Sequence, residues 1–216
     1  MSEEEKSADD PLLFVRPLLL RHSPASQVIE CDAIDNEDGF SQPCVLKFFA
    51  PKAEAAFRRE LAVYTKTNKE EILGNVVPLL LWEGEWSSAK YKTFIGNFPT
   101  LLRKSDRAVK FLAIHRITNT VYDFPTGEPV ELQPYAVKTA LHGLQILHSF
   151  DIVHGDVSVQ NLLLRRNSEY YDALWIDFSS SIVDASEQDM RYEWQKAVQY
   201  FSNLVCSCLL CSDVDR

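Results

Sequence analysis

Four polar residues stand at spacings that can do chemistry: His154, Asp156 and Asn161 within "HGDVSVQN", and Asp177 within "WIDFS". Between Asn161 and Asp177 lie two apolar runs, "LLL" and "ALWI", joined by the polar segment "RRNSEYYD", a pattern that predicts a β-hairpin. Asn161 immediately precedes the first run and Asp177 immediately follows the second. Antiparallel pairing brings those two ends together, so an amide oxygen and a carboxylate converge at the open end of the hairpin. Asp156 lies upstream on the same loop. Two carboxylates and an amide carbonyl are hard oxygen ligands, suited to Mg²⁺ carrying phosphate. One carboxylate can instead orient or deprotonate an attacking hydroxyl. Phosphoryl transfer needs such a layout, because its catalysis is mostly positioning and charge stabilisation. A plainer reading stands beside it, since Asp and Asn form turns whatever the chemistry.

The elements that must position these residues are legible in outline. Residues 12–20 and 27–34 read as strands around the turn "RHSPAS", and "CVLKFFA" (44–50) as a third after the turn "DNEDGFSQP". A helix is expected from Lys52 to Thr67, with Phe57, Leu61 and Tyr64 on one apolar stripe. "VVPLLLWEG" and "VKFLAIHRI" read as two more strands, which makes the first half strand-rich with one helix. The second half opens with a helix from Pro134 to Ser149, where proline suits the first turn and Val137, Ala140, Leu141, Leu144 and Leu147 form the buried face. A last helix runs from Glu187 to Leu210, with Trp194, Ala197, Val198, Phe201, Leu204, Val205 and Cys208 at helical spacing. The order predicts a two-lobed α+β arrangement with its boundary near His115–Thr120.

Composition narrows the function classes. A chain of 216 residues suits one domain or two small lobes, and 46% hydrophobic with 25% charged residues is ordinary for a globular protein. A net charge of -9 and a pI near 5.1 argue against a direct nucleic-acid binder, which would carry a basic face. Part of that charge lies in "MSEEEKSADD", read as a disordered acidic tail over residues 1–10, with the folded region over 11–216. No apolar run approaches the roughly 18 residues that span a bilayer, and the acidic start is unlike a secretory leader. No membrane partner is expected. Five cysteines without such a leader point to reduced thiols in a cytoplasmic or nuclear protein. The three thiols of "CSCLLC" (206–211) have no histidine nearby to complete a tetrahedral metal site, and read as buried thiols on a helix.

"HGDVSVQN" followed by "WIDFS" resembles the catalytic and metal-binding loops of the protein-kinase-like superfamily. The resemblance implies a strand-rich N-lobe over about 11–117 and an abbreviated, mainly helical C-lobe over about 118–216. It implies that Asp156 orients or deprotonates the acceptor hydroxyl, and that Asn161 and Asp177 hold Mg²⁺. "VLKFFA" is similar to the strand bearing the family's phosphate-binding lysine, which would be Lys47, anchored by Glu60 on the next helix. Alternation puts Val45, Lys47 and Phe49 on one face, where a lysine needs an acid or bound anion, unless the strand lies at an edge facing solvent. Glu54 is the competing acid. "FLAIHRI" is similar to the strand leading to the hinge, so ATP's adenine would lie near Ile114, His115 and Arg116, and His154 would brace the loop.

Some features depart from the family's pattern. "RHSPAS" lacks the glycines that usually cover the phosphates, leaving the hydroxyls and amides of Ser23 and Ser26. Gly155 replaces the arginine that reads activation-loop phosphorylation, Ser158 stands for a lysine and Ser179 for a glycine. About ten residues separate Asp177 from the last helix, and there is no Ala-Pro-Glu. The resemblance covers about residues 12–205, in a minimal or truncated form whose short C-lobe would expose apolar surface to a protein partner. The expected activity is ATP- and Mg²⁺-dependent phosphate transfer to a hydroxyl on a protein Ser/Thr or a small molecule. The alternative is a pseudokinase, a nucleotide-binding or scaffolding module.

Overall fold

A computed structural model describes residues 12–35, 39–68, 75–103, 106–117, 134–167 and 170–211. The fold is α+β and divides into two compact units, Met1–Glu54 with Leu81–Arg116, and Ala55–Leu80 with Ile117–Arg216. The expected acidic tail and the expected boundary beyond Ile117 lie outside the described residues. So do the thiols of Cys206, Cys208 and Cys211, whose backbone is helical.

The first unit is built on a five-stranded sheet in the order β1-β2-β3-β5-β4. Its strands are β1 (Leu12–His22), β2 (Ser26–Asp35), β3 (Ser41–Phe49), β4 (Leu80–Ser87) and β5 (Ala108–His115). Residues alternate between the faces of a strand, so Ile29, Cys31 and Ala33 of β2 join Cys44, Leu46 and Phe48 of β3 in one core. Phe14, Phe48, Trp86 and Phe111 fill it with ring centroids 5.0–6.1 Å apart. Cys31 and Cys44 face each other across the ladder as free thiols, Sγ to Sγ 3.3 Å.

Two expectations for this half are corrected. A helix, α2 (Ser88–Ile95), follows β4, so among the described residues the first half holds two α-helices instead of one. Its ends are marked locally, since the Ser87 hydroxyl accepts from Lys90 N and Gly96 terminates it with φ +55°. β4 begins at Leu80, not Val76. Val76 is buried in the second unit, and its carbonyl accepts a hydrogen bond from Trp175 N at 2.8 Å.

The second unit contains α1 (Glu54–Thr67) from Ala55 onward, α3 (Pro134–Ser149), β6 (Ile152–Val153), β7 (Leu162–Asn167), β8 (Tyr170–Trp175), β9 (Ile182–Val183) and α4 (Glu187–Cys211). β7 and β8 form an antiparallel hairpin closed at Leu162↔Trp175, and β6 pairs with β9. The hairpin packs on α3: Trp175 is fully buried and its indole N–H donates to Ala140 O at 2.9 Å. α1 follows β3 in sequence yet is tied into the second unit. Its Arg59 donates to Ser179 O at 2.6 Å, its Lys66 pairs with Asp184 at 3.0 Å, and Tyr64 packs edge-on against Phe178. Residues 55–80 thus belong to the second unit, whereas the sequence-based division kept them in the first. Among the described residues no helix is long and apolar enough to cross a membrane.

Candidate functional site

The loop after β6 owes its shape to three buried acceptors and one glycine. His154 is fully buried between Trp175 and Phe178, with ring centroids at 4.8 and 4.9 Å. Its Nδ1 accepts from Asp156 N at 3.3 Å, so the ring proton sits on Nε2 and is donated to Ile176 O at 3.0 Å. Burial pushes the imidazole pKa below its ordinary value, against the pull of the Ile176 carbonyl and the carboxylates of Glu193, Asp177 and Asp156. A neutral, doubly bonded ring braces the loop and ties it to the strand leading to Asp177.

Glu193 of α4 holds the backbone beside it. One oxygen accepts from Gly155 N at 2.6 Å, and the other from His154 N at 3.0 Å and His148 Nε2 at 2.8 Å. Burial alone would raise this carboxyl, but donation from His148, Gly155 and His154 outweighs it and holds the pKa below its ordinary value. Sequence reading passed over Glu193. The signal was its register, for it lies four and eight residues before Ala197 and Phe201 on the buried stripe of α4.

Gly155 has a steric reason. Its φ is +82°, and a Cβ there would come 2.2 Å from Ser180 O and 2.8 Å from Ser180 C. The segment after Asp177 therefore crosses directly over the loop, and Ser181 Oγ completes the crossing by donating to His154 O at 2.8 Å.

The polar residues of the hairpin mouth meet as follows. Ile176 N donates to Asn161 O at 2.9 Å, which fixes the positions flanking Asn161 and Asp177 at one end of β7–β8. Asn161 is buried, and its amide nitrogen donates to Asp156 O at 2.8 Å and to Asp156 Oδ2 at 3.0 Å. That leaves the Asn161 side-chain carbonyl as an acceptor turned away from Asp156. Asp177 adopts φ 63° and ψ 69°, a left-handed conformation that costs a non-glycine residue roughly 1–2 kcal/mol and is found where the surroundings impose it. Next to it, Tyr64 is fully buried with no hydrogen-bond partner for its hydroxyl, and burial followed by the charges of Glu60 and Asp177 raises its pKa well above the ordinary value.

Beside Asp156 opens a cavity of about 590 Å³, walled by Tyr192, Lys196 and Tyr200 of α4 and by Ile182. The Lys196 ammonium lies 4.3 Å from the Tyr192 ring centroid, and Tyr200 accepts from Val159 N at 3.2 Å. This volume falls in the range of small-molecule sites.

The remaining expected residues lie on other elements. Lys47 sits on β3, in the middle of the sheet and only 7% exposed, which excludes an edge lysine facing solvent. It shares its face with Val45 and Phe49, opposite the aromatic core, with Nζ 5.2 Å from the Phe49 ring centroid. Glu60 of α1 is 1% exposed, on the buried face with Phe57 and Tyr64, whereas Leu61 is only partly buried. Glu54 forms an ion pair with Lys110 at 2.7 Å. Ile114 and His115 end β5 in register with Val45 and Cys44, and Arg116 bonds Pro43 O through its amide and Glu30 through its guanidinium. In the β1–β2 turn, Ser23 Oγ accepts from Ala25 N at 3.2 Å and Ser26 N at 3.0 Å, while Ser23 N and Oγ both donate to Ser26 O. The hydroxyls and amides expected to cover phosphates are thus engaged within the turn itself. Among the described residues no group of three or more His, Cys, Asp or Glu is placed to hold a metal ion.

Comparison with known family models and with curated proteins finds no match to this sequence.

Proposed function

We propose that the loop at Asp156 is the catalytic loop of an ATP- and Mg²⁺-dependent phosphotransferase of protein-kinase-like architecture, acting on a hydroxyl acceptor. The observation that carries this reading is the junction of Asp156, Asn161 and Asp177 at the hairpin mouth, held by a buried neutral histidine and a buried glutamate. The acceptor's hydroxyl oxygen bonds to the terminal phosphorus as the bond from that phosphorus to the β–γ bridging oxygen breaks. ADP leaves with the electron pair, and the hydroxyl proton passes to Asp156 and on to water. Asp156 orients the hydroxyl, and the cavity beside it gives the acceptor room.

The donor set fits Mg²⁺: Asp177 offers a carboxylate and Asn161 an amide oxygen, both hard ligands. The orphaned Tyr64 hydroxyl near Asp177 is further support, because a hydrated cation would bring water to pair it. When bound, the ion would neutralise charge on the phosphates. Lys47 and Glu60 complete the reading as phosphate contact and anchor, supported by the burial of both charges, which a fold tolerates only with partners. Free thiols at Cys31 and Cys44 suit a reducing cytoplasmic or nuclear setting.

The test is thermal unfolding of the full chain with and without Mg·ATP. At about 100 times Kd, binding adds roughly 2.7 kcal/mol. Asp177→Ala removes the shift, while Asp156→Asn keeps it and abolishes phosphate transfer. No shift, or one indifferent to Asp177→Ala, overturns the reading. A second reading, a nucleotide-binding pseudokinase or scaffold, is favoured by the self-satisfied, glycine-free β1–β2 turn. It predicts the thermal shift without transfer by the parent protein.

A further inference from the structure

The first unit carries a cavity beside the β1–β2 turn, whose Ser23 hydroxyl and amide are already engaged within the turn itself. It has a volume of about 280 Å³ and lies where the β1–β2 turn, the entry to α1 and the segment before β5 come together. Three basic side chains from these three segments line it: His22, Lys52 and Arg103. Thr100 also lines it, with its hydroxyl accepting from Leu102 N at 3.2 Å. The single acid in the lining, Asp106, has Oδ2 engaged by Arg103 N at 2.6 Å. In a chain of net charge -9, this is a local reversal of sign built from residues far apart in sequence.

We propose that this cavity binds a phosphate group. Convergent basic side chains match phosphate oxygens, and an arginine can engage two at once. Size limits the ligand. Sites for drug-sized molecules run from roughly 300 to 1,000 Å³, so this cavity takes the phosphate and leaves most of its carrier outside. The ligand is a phosphomonoester, borne by a small molecule or by a phosphorylated side chain, and not an enclosed nucleotide. The Asp156 loop contributes no residue to this lining.

The experiment is a titration of the ¹⁵N-labelled full chain, at constant ionic strength, with inorganic phosphate, phenyl phosphate and N-acetyl-phosphoserine amide. Potassium chloride is the control. Saturable shifts are expected at the amides of His22, Ser23, Lys52 and Arg103. Lys52→Met and Arg103→Met each weaken binding roughly three- to tenfold, as removal of one half-open charge-assisted hydrogen bond should. Both side chains are exposed, so these variants stay folded. Preference for the phosphoserine amide over phenyl phosphate identifies a phosphorylated side chain as the source, and the reverse identifies a small phosphomonoester. Shifts that chloride reproduces, or affinity that survives both substitutions together, overturn the proposal. Because the readout is by residue, phosphate bound near Asp177 is scored separately, and loss of one site leaves the other standing.

Discussion

Replacing Glu193 by glutamine tests the brace of the loop most directly. The parent carboxylate accepts three hydrogen bonds from buried or partly buried donors, and glutamine supplies one acceptor oxygen and an NH₂ group. At least one donor then faces another donor, and all three bonds lose the help of the charge. An unpaired buried donor costs about 1–3 kcal/mol, so Glu193→Gln should lose about 3 kcal/mol near pH 7. For a chain of this size that is a fall in Tm of roughly 6–12 °C. The pH dependence separates this cause from lost packing. Because the folded-state pKa of Glu193 lies below its ordinary 4.5, its contribution is present above that value and lost as pH falls through the folded pKa. The gap between parent and variant should therefore close below about pH 4.5 in urea titrations. His154, whose folded pKa is also depressed, erodes stability as pH falls below 6.5, but it does so in both proteins. A gap under 0.5 kcal/mol (about half the usual worth of one hydrogen bond), or one unchanged down to about pH 3.5, would refute the reasoning.

Gly155→Ala should cost more than the roughly 1–2 kcal/mol of a left-handed alanine, because its Cβ meets the Ser180 carbonyl; a denaturant midpoint equal to the parent's would contradict that close crossing. Tyr64→Phe removes a buried hydroxyl that has no partner, so without ligands it should leave stability equal or raise it by about 1 kcal/mol, and a clear loss of Tm would mean that the hydroxyl is paired.

Periodicity and turn chemistry made much of this chain legible. The hairpin could be read because two short apolar runs flank a polar segment, although Arg165–Asn167 and Tyr170–Asp172 of that segment extend the ladder, and α3 and α4 because their apolar residues recur at helical spacing. α2 escaped notice because it has only eight residues and buries just Tyr91 and Ile95, too little for a periodic signal beside its serine cap. "VVP" read as strand because apolar runs look alike whether they join a sheet or pack under a hairpin, as Val76 does.

The site divides along the same line. The meeting of Asp156, Asn161 and the backbone beside Asp177 at the hairpin mouth was legible because loop residues beside a hairpin are constrained by its pairing, which is local. Sequence alone set their spacing, the alternation that turns Lys47 away from the aromatic core, and the acidic balance of the chain. Tertiary structure decided that Glu193 grips the loop, that His154 is neutral, and that Gly155 is required where the 178–181 segment crosses it. It also gathered His22, Lys52 and Arg103 around one cavity. Burial and hydrogen-bond partners come from residues distant in the chain, and no local pattern encodes which distant groups will meet.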